Sequence, residues 1–168
     1  MSVTYPAPHP SVAAPLLAAV DSLLNRPETL DMGVYYDTDP VCGTTLCLCG
    51  QLVTNHYASL AMPVPADVVK TNSWSSAARA ITALTVEECS RLFHTIDWPE
   101  PFRTRYRAAD AALSDLYHVF RRQTDSPMDF PMDQWTDRER AAYRKVAMRR
   151  VHILADRVDA FLYSDDHA

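Results

Sequence analysis

Unusual backbone and unusual side chains coincide in one stretch of this chain. All three glycines (Gly33, Gly43, Gly50) and three of the four cysteines (Cys42, Cys47, Cys49) fall between positions 33 and 50 of the 168 residues. Glycine enters tight turns and lets another backbone come close, so geometry of that kind is confined to one region. The spacing there reads as a turn at Cys42-Gly43, then an N-cap at Thr44 or Thr45. A helix follows through Leu46, Cys49, Val53 and Tyr57, an apolar stripe at helical period. Gly50 lies inside that helix, where it costs about 1 kcal/mol against alanine. The expectation is that it admits a neighbouring backbone, and that the thiols pack as small hydrophobes beside it.

Helical period dominates the rest. Ser11 is placed to cap a helix reaching Asn25, with Leu16, Leu17, Val20, Leu23 and Leu24 on one side. Residues 30–40 end in the acidic, turn-rich Asp37-Thr38-Asp39-Pro40 and allow a short extended segment. Pro63 and Pro65 break the central helix, and a polar loop over 70–73 precedes a helix from Ser75 or Ser76 carrying Ala77, Ala78, Ile81 and Leu84. Thr85-Val86-Glu87-Glu88 is a capping box opening a short helix with Val86, Cys89, Leu92 and Phe93 inward. Phe102, Tyr106, Ala109, Leu113, Leu116, Tyr117 and Phe120 keep helical spacing to about Arg122, and 123–135 reads as a connecting loop. Thr136-Asp137-Arg138-Glu139 repeats the capping box and opens the longest helix, to about Tyr163, with an inner seam of Tyr143, Ala147, Val151, Leu154, Val158 and Phe161. Trp74, Trp98 and Trp135 stand beside loops, as lids on the core. The fold class is therefore mainly α: one domain of five or six helices over 11–163, behind a proline-spaced arm (1–10) and ahead of a frayed acidic tail (164–168).

Hydrophobic residues at 48% and charged residues at 22% are ordinary for a folded domain, so disorder is not the default. No apolar run approaches the ~20 residues of a membrane span. With no basic residue before Arg26, the N-terminus lacks the basic segment of a signal peptide. Both point to the cytoplasm and hence to free thiols. Charge is uneven: residues 1–100 carry four basic and ten acidic side chains, 101–157 carry twelve and eight. An acidic front and a basic back can meet within one molecule or between copies, as a homo-oligomer.

Met32-Gly33 followed by Cys42-Gly43-Thr44-Thr45-Leu46-Cys47-Leu48-Cys49-Gly50, and later Ile81-Thr82-Ala83-Leu84-Thr85-Val86-Glu87-Glu88-Cys89-Ser90-Arg91-Leu92-Phe93, are two patterns that resemble those of a family of small actinobacterial and phage proteins. The family shows M-G or Q-G, then C-G-T-x-x-C-x-x-G, a leucine-rich helix and L-G-L-T-x-x-Q-A-x-x-L-F. This chain departs from it at Ala83, where the family has glycine, and at Cys89, where it has alanine. The resemblance covers about positions 30–100. It implies a phage or actinobacterial setting, no known activity and no transferable functional residue.

Three kinds of chemistry compete. Cys42, just before a helix start, is where a thiolate nucleophile would be stabilised, with His56 or His94 as base, an aspartate (Asp37, Asp39 or Asp97) orienting it and the Gly43 and Thr44 amides as oxyanion donors. Cys42, Cys47, Cys89 and His94 are metal-ligand candidates, although C-x4-C-x-C-x6-H matches no common zinc spacing and Cys47 and Cys49 would point about 200° apart on one helix. The cations Arg138, Arg144, Lys145, Arg149 and Arg150, with Arg140 and Arg157, make the last helix a binding candidate for phosphates or an acidic protein. No phosphate loop or nucleotide motif is present, no metal or cofactor is called for, and the net charge of −5 disfavours nucleic acid. The expectation is a protein-binding accessory factor with a protein partner, a non-enzyme in preference to an enzyme.

Overall fold

The computed structural model describes residues 11–30, 36–39, 43–121 and 135–163. Among them are seven α-helices: α1 (Ala13–Asn25), α2 (Leu48–Ser59), α3 (Ala66–Lys70), α4 (Trp74–Thr82), α5 (Val86–Phe93), α6 (Phe102–Arg121) and α7 (Asp137–Leu162). Short 3-10 turns occupy Pro27–Thr29 and Thr95–Asp97. The mainly α expectation holds; the helix beyond the expected count is the five-residue α3, in the stretch before the polar loop. The extended piece is an antiparallel pair, β1 (Tyr36–Asp39) with β2 (Gly43–Leu46), Tyr36 facing Leu46 and Asp39 facing Gly43. The N-terminal arm, the acidic tail and, except for Trp135, the loop expected over 123–135 lie outside the described residues.

β2 corrects the reading of the central stretch. Thr44 and Thr45 do not cap a helix and Leu46 is not in one: all three are strand, and α2 starts at Leu48 with Cys47 as its N-cap. Two adjacent β-branched residues resist the χ1 restriction of a helix and suit a pleated backbone. From Leu48 on, the expected stripe is present, with Leu48, Cys49, Leu52, Val53 and Tyr57 buried and Gly50 among them. α1 begins at Ala13, with Val12 at its N-cap position. Its Leu16, Ala19, Val20 and Leu23 are buried, while Leu17 is turned outward. Asn55 of α2 donates to Ala18 O of α1 at 3.0 Å and to Ser22 Oγ at 2.9 Å, which fixes the α1–α2 pairing beyond what apolar contact specifies.

α2 packs on α1 and α4, and α7 spans α6, α1 and the Pro27–Thr29 turn. Leu16, Leu23, Leu48, Leu52, Ile81, Leu92 and Leu154 are fully buried in one continuous core, each contributing about 2 kcal/mol by removal from water. Trp74 and Trp98 are buried in the same core. Trp98 Nε1 donates to Leu92 O at 2.9 Å, and its ring meets the edge of Tyr106 at 5.2 Å, so the indole is both packed and satisfied. Trp135 centres a second, smaller cluster near the other end of α6, against Phe120 and Tyr143 at 5.1 Å each.

Both capping boxes form. Thr85 Oγ1 accepts from Glu88 N at 3.2 Å while Glu88 returns a carboxylate to Thr85 N at 2.7 Å, and Thr136 and Glu139 repeat the exchange at the head of α7. Between α4 and the first box stands Ala83, at φ 59° and ψ 16°. That is the left-handed region, where a Cβ costs roughly 1–2 kcal/mol. Glycine enters this conformation without that cost, and the chain places alanine there. Val86, expected inward, is instead 64% exposed. As the first residue of α5 it precedes the face on which Cys89, Leu92 and Phe93 are buried. α4 starts one residue earlier than expected, at Trp74.

Candidate functional site

The cations of α7 divide by face. Arg144 donates to Asn25 O, the last residue of α1, at 3.0 Å. Arg150, only 6% exposed, donates to Leu30 O at 2.5 Å and to Asp110 Oδ1 at 2.7 Å. Arg157, also buried, donates to Arg91 O near the end of α5 at 2.9 Å and lies over the Phe161 ring at 5.6 Å. The last carbonyls of a helix have no intrahelical donor and carry its negative pole. A guanidinium with its fork of N–H groups on a long apolar stem can answer them across a helix interface. Burial, with the nearby Arg91 charge, holds the Arg157 guanidinium below its usual range, since no carboxylate among the described residues pairs with it.

This corrects two of the binding residues. Arg150 is not available to a ligand, and the Arg144 guanidinium is engaged with α1. The signal was present in the sequence: Ala147, Arg150, Leu154, Arg157 and Phe161 are spaced three and four apart, so the inner seam runs on through both arginines. Arg138, Lys145 and Arg149 remain. They are exposed, seven and four residues apart, and so line one outer stripe of α7. None of their side chains forms an ion pair or hydrogen bond with another described residue.

The thiols are the second element. Cys42 lies outside the described residues, as does any geometry built on it. His56 stands near the end of α2, about 13 Å along the axis from Cys47, with its ring edge-on to Tyr57 at 5.8 Å. His94 is exposed and ends α5. No group of three histidine, cysteine or acidic side chains that could hold a metal occurs among the described residues.

The divergence expected of Cys47 and Cys49 rests on both being helical; Cys47 instead has the extended dihedrals of an N-cap (φ −77°, ψ 174°). Its Sγ accepts from Gly50 N at 3.4 Å. A hydrogen bond from Cys49, followed by the Gly50 amide, draws the Cys47 thiol below its ordinary range against the effect of burial. Burial and the same sulfur neighbour push Cys49 well up. Burial also lifts Cys89, on α5, to about 11. All three thiols are at most 5% exposed.

Fold and site together define a mainly α protein with buried thiols and an arginine-braced last helix. Compared with protein-family models, curated proteins and solved structures, the chain matches none. No described helix is long and apolar enough to cross a membrane.

Proposed function

We propose that this chain is a protein-binding accessory factor, of phage or actinobacterial setting, that engages an acidic surface through the outer stripe of α7. The observation that supports the reading is the division of the α7 cations. Three guanidiniums are spent on the carbonyls of other elements, and Arg138, Lys145 and Arg149 are exposed and form no ion pair with another described residue. Like charges held on a rigid helix cost some repulsion. An acidic partner converts that cost into steering and register. The resemblance over positions 30–100 supplies the setting, and modulation of a host process is the role consistent with it. A second copy, whose residues 1–100 carry six more acidic than basic side chains, offers one acidic surface of this kind.

The test is affinity capture from host lysate with the wild-type chain and with an Arg138→Glu, Lys145→Glu, Arg149→Glu variant of unchanged circular dichroism. A specific partner held by the wild type and released by the variant supports the reading. Equal capture by both sinks it.

A further inference from the structure

We propose that the chain pairs with a second copy of itself, the outer faces of the two α7 helices lying antiparallel about a two-fold axis at His152. This pairing rests on the reading of the outer stripe as a docking face for an acidic surface, and it makes α7 of the second copy that surface. At about 100° per residue, Lys145, Arg149, His152, Asp156 and Asp159 fall on one face of α7, and all five are exposed. The face turns away from the seam of Ala147, Val151, Leu154, Val158 and Phe161, which buries α7 against the rest of the fold.

The charges on this face form a palindrome of opposite sign. Lys145 and Asp159 each stand seven residues from His152, and Arg149 and Asp156 stand three and four from it. Turned end for end, the face sets Lys145 of one copy against Asp159 of the other and Arg149 against Asp156, and the symmetry makes each contact twice. The axis falls on an imidazole, so no guanidinium or carboxylate meets its own copy. Parallel pairing would set every one of these charges against its like, which selects the antiparallel, isologous form. Ala141 and Tyr163, each eleven residues from His152, come opposite one another by the same symmetry. The Tyr163 ring, 81% exposed in the single chain, then lies on the small Ala141 side chain of the other copy.

Within one chain these charges are left available. Lys145, Arg149 and Asp159 have no ion pair among the described residues. Asp156 has one, with Arg105 at 2.9 Å, in which both side chains stay about half exposed. A single pair of 26-residue helices makes a small, charged interface, so the dimer is weak and sensitive to salt.

The experiment is sedimentation equilibrium of the full-length chain at low and at high salt. The wild type should show a monomer–dimer equilibrium that high salt shifts toward monomer. A Lys145→Glu, Arg149→Glu variant makes all four charges of the face acidic, and an Asp156→Lys, Asp159→Lys variant makes all four basic. Each alone should have its dissociation constant raised roughly tenfold or more, since four opposed contacts become four like-charged ones. An equimolar mixture of the two should recover a one-to-one dimer, because every contact is again between opposite charges. A wild type that stays monomeric at low salt, a variant that dimerises as the wild type does, or a mixture of folded variants that does not associate overturns the proposal. If the aspartate variant loses its fold by circular dichroism along with the Arg105 pair, Asp159→Lys alone takes its place. A monomeric wild type that still captures a host protein through Arg138, Lys145 and Arg149 overturns self-pairing alone and leaves the acidic-surface reading standing.

Discussion

Replacing Arg150 with alanine removes both N–H donors that hold α7 to the turn after α1 and to α6. The Leu30 carbonyl, in a fully buried residue, loses the donor at 2.5 Å, and stranding a buried acceptor costs about 1–3 kcal/mol. The pair with Asp110 adds at most about 1 kcal/mol, because the Asp110 side chain is 56% exposed. The space left by the stem adds roughly another 1 kcal/mol. Relief of desolvation offsets part of this, since the Arg150 Nε is buried without a partner. The net expectation is about 2–3 kcal/mol of lost stability, a shift of roughly 1 M in the urea midpoint. Arg150→Met keeps the apolar volume and sheds the charge, so it should lose about half as much. The neighbouring Arg149→Ala is the internal control: an exposed side chain with no partner should stay within about 0.5 kcal/mol. Equal midpoints for the Arg149 and Arg150 alanine variants would refute the division of α7 into structural and outward cations.

Other consequences are separately measurable. Ala83→Gly relieves the left-handed Cβ and, after the larger unfolded-state entropy of glycine, should stabilise by roughly 0.5–1 kcal/mol in denaturant unfolding; a destabilised variant would contradict the strain. Thr85→Ala removes the N-cap of α5 and should cost about 1 kcal/mol, read in the same assay. Because the folded Cys89 thiol is raised from 9.0 to about 11, its contribution to stability is intact below pH 9 and is lost as pH rises toward 11. Cys89→Ala should therefore flatten the alkaline fall in stability, and an unchanged slope would count against burial as the cause. The Glu139 carboxyl is held low, first by the Thr136 amide, so its contribution is present at neutral pH and lost on acidification below the ordinary value of 4.5. Glu139→Gln should differ from wild type at neutral pH and converge with it in acid.

Much of the fold was legible in spacing. The two capping boxes, the Cys49-Val53-Tyr57 stripe and the inner seam of α7 are local patterns, and local patterns survive tertiary context when the apolar face agrees with the cap. The start of α2 was not legible. Thr44 and Thr45 are good caps as well as good strand residues, and only pairing with residues 36–39 decides between these roles. That two-residue shift moved Cys47 from the body of the helix to its N-cap, where its sulfur accepts from Gly50 N. Arg150 and Arg157 were misread for another reason: a charge run suggests a solvated face, yet guanidinium is the one charged group suited to closing helix ends from within a core. Their spacing on the seam held the information, and their residue type obscured it.

Capture from host lysate divided in two, one half treated with nuclease, tests recognition by the outer stripe of α7 most directly. The expected result is one protein retained from both halves by the wild-type chain and lost when Arg138, Lys145 and Arg149 are reversed in charge. Retention that disappears on nuclease treatment would make nucleic acid the ligand of the stripe and contradict a protein-binding role.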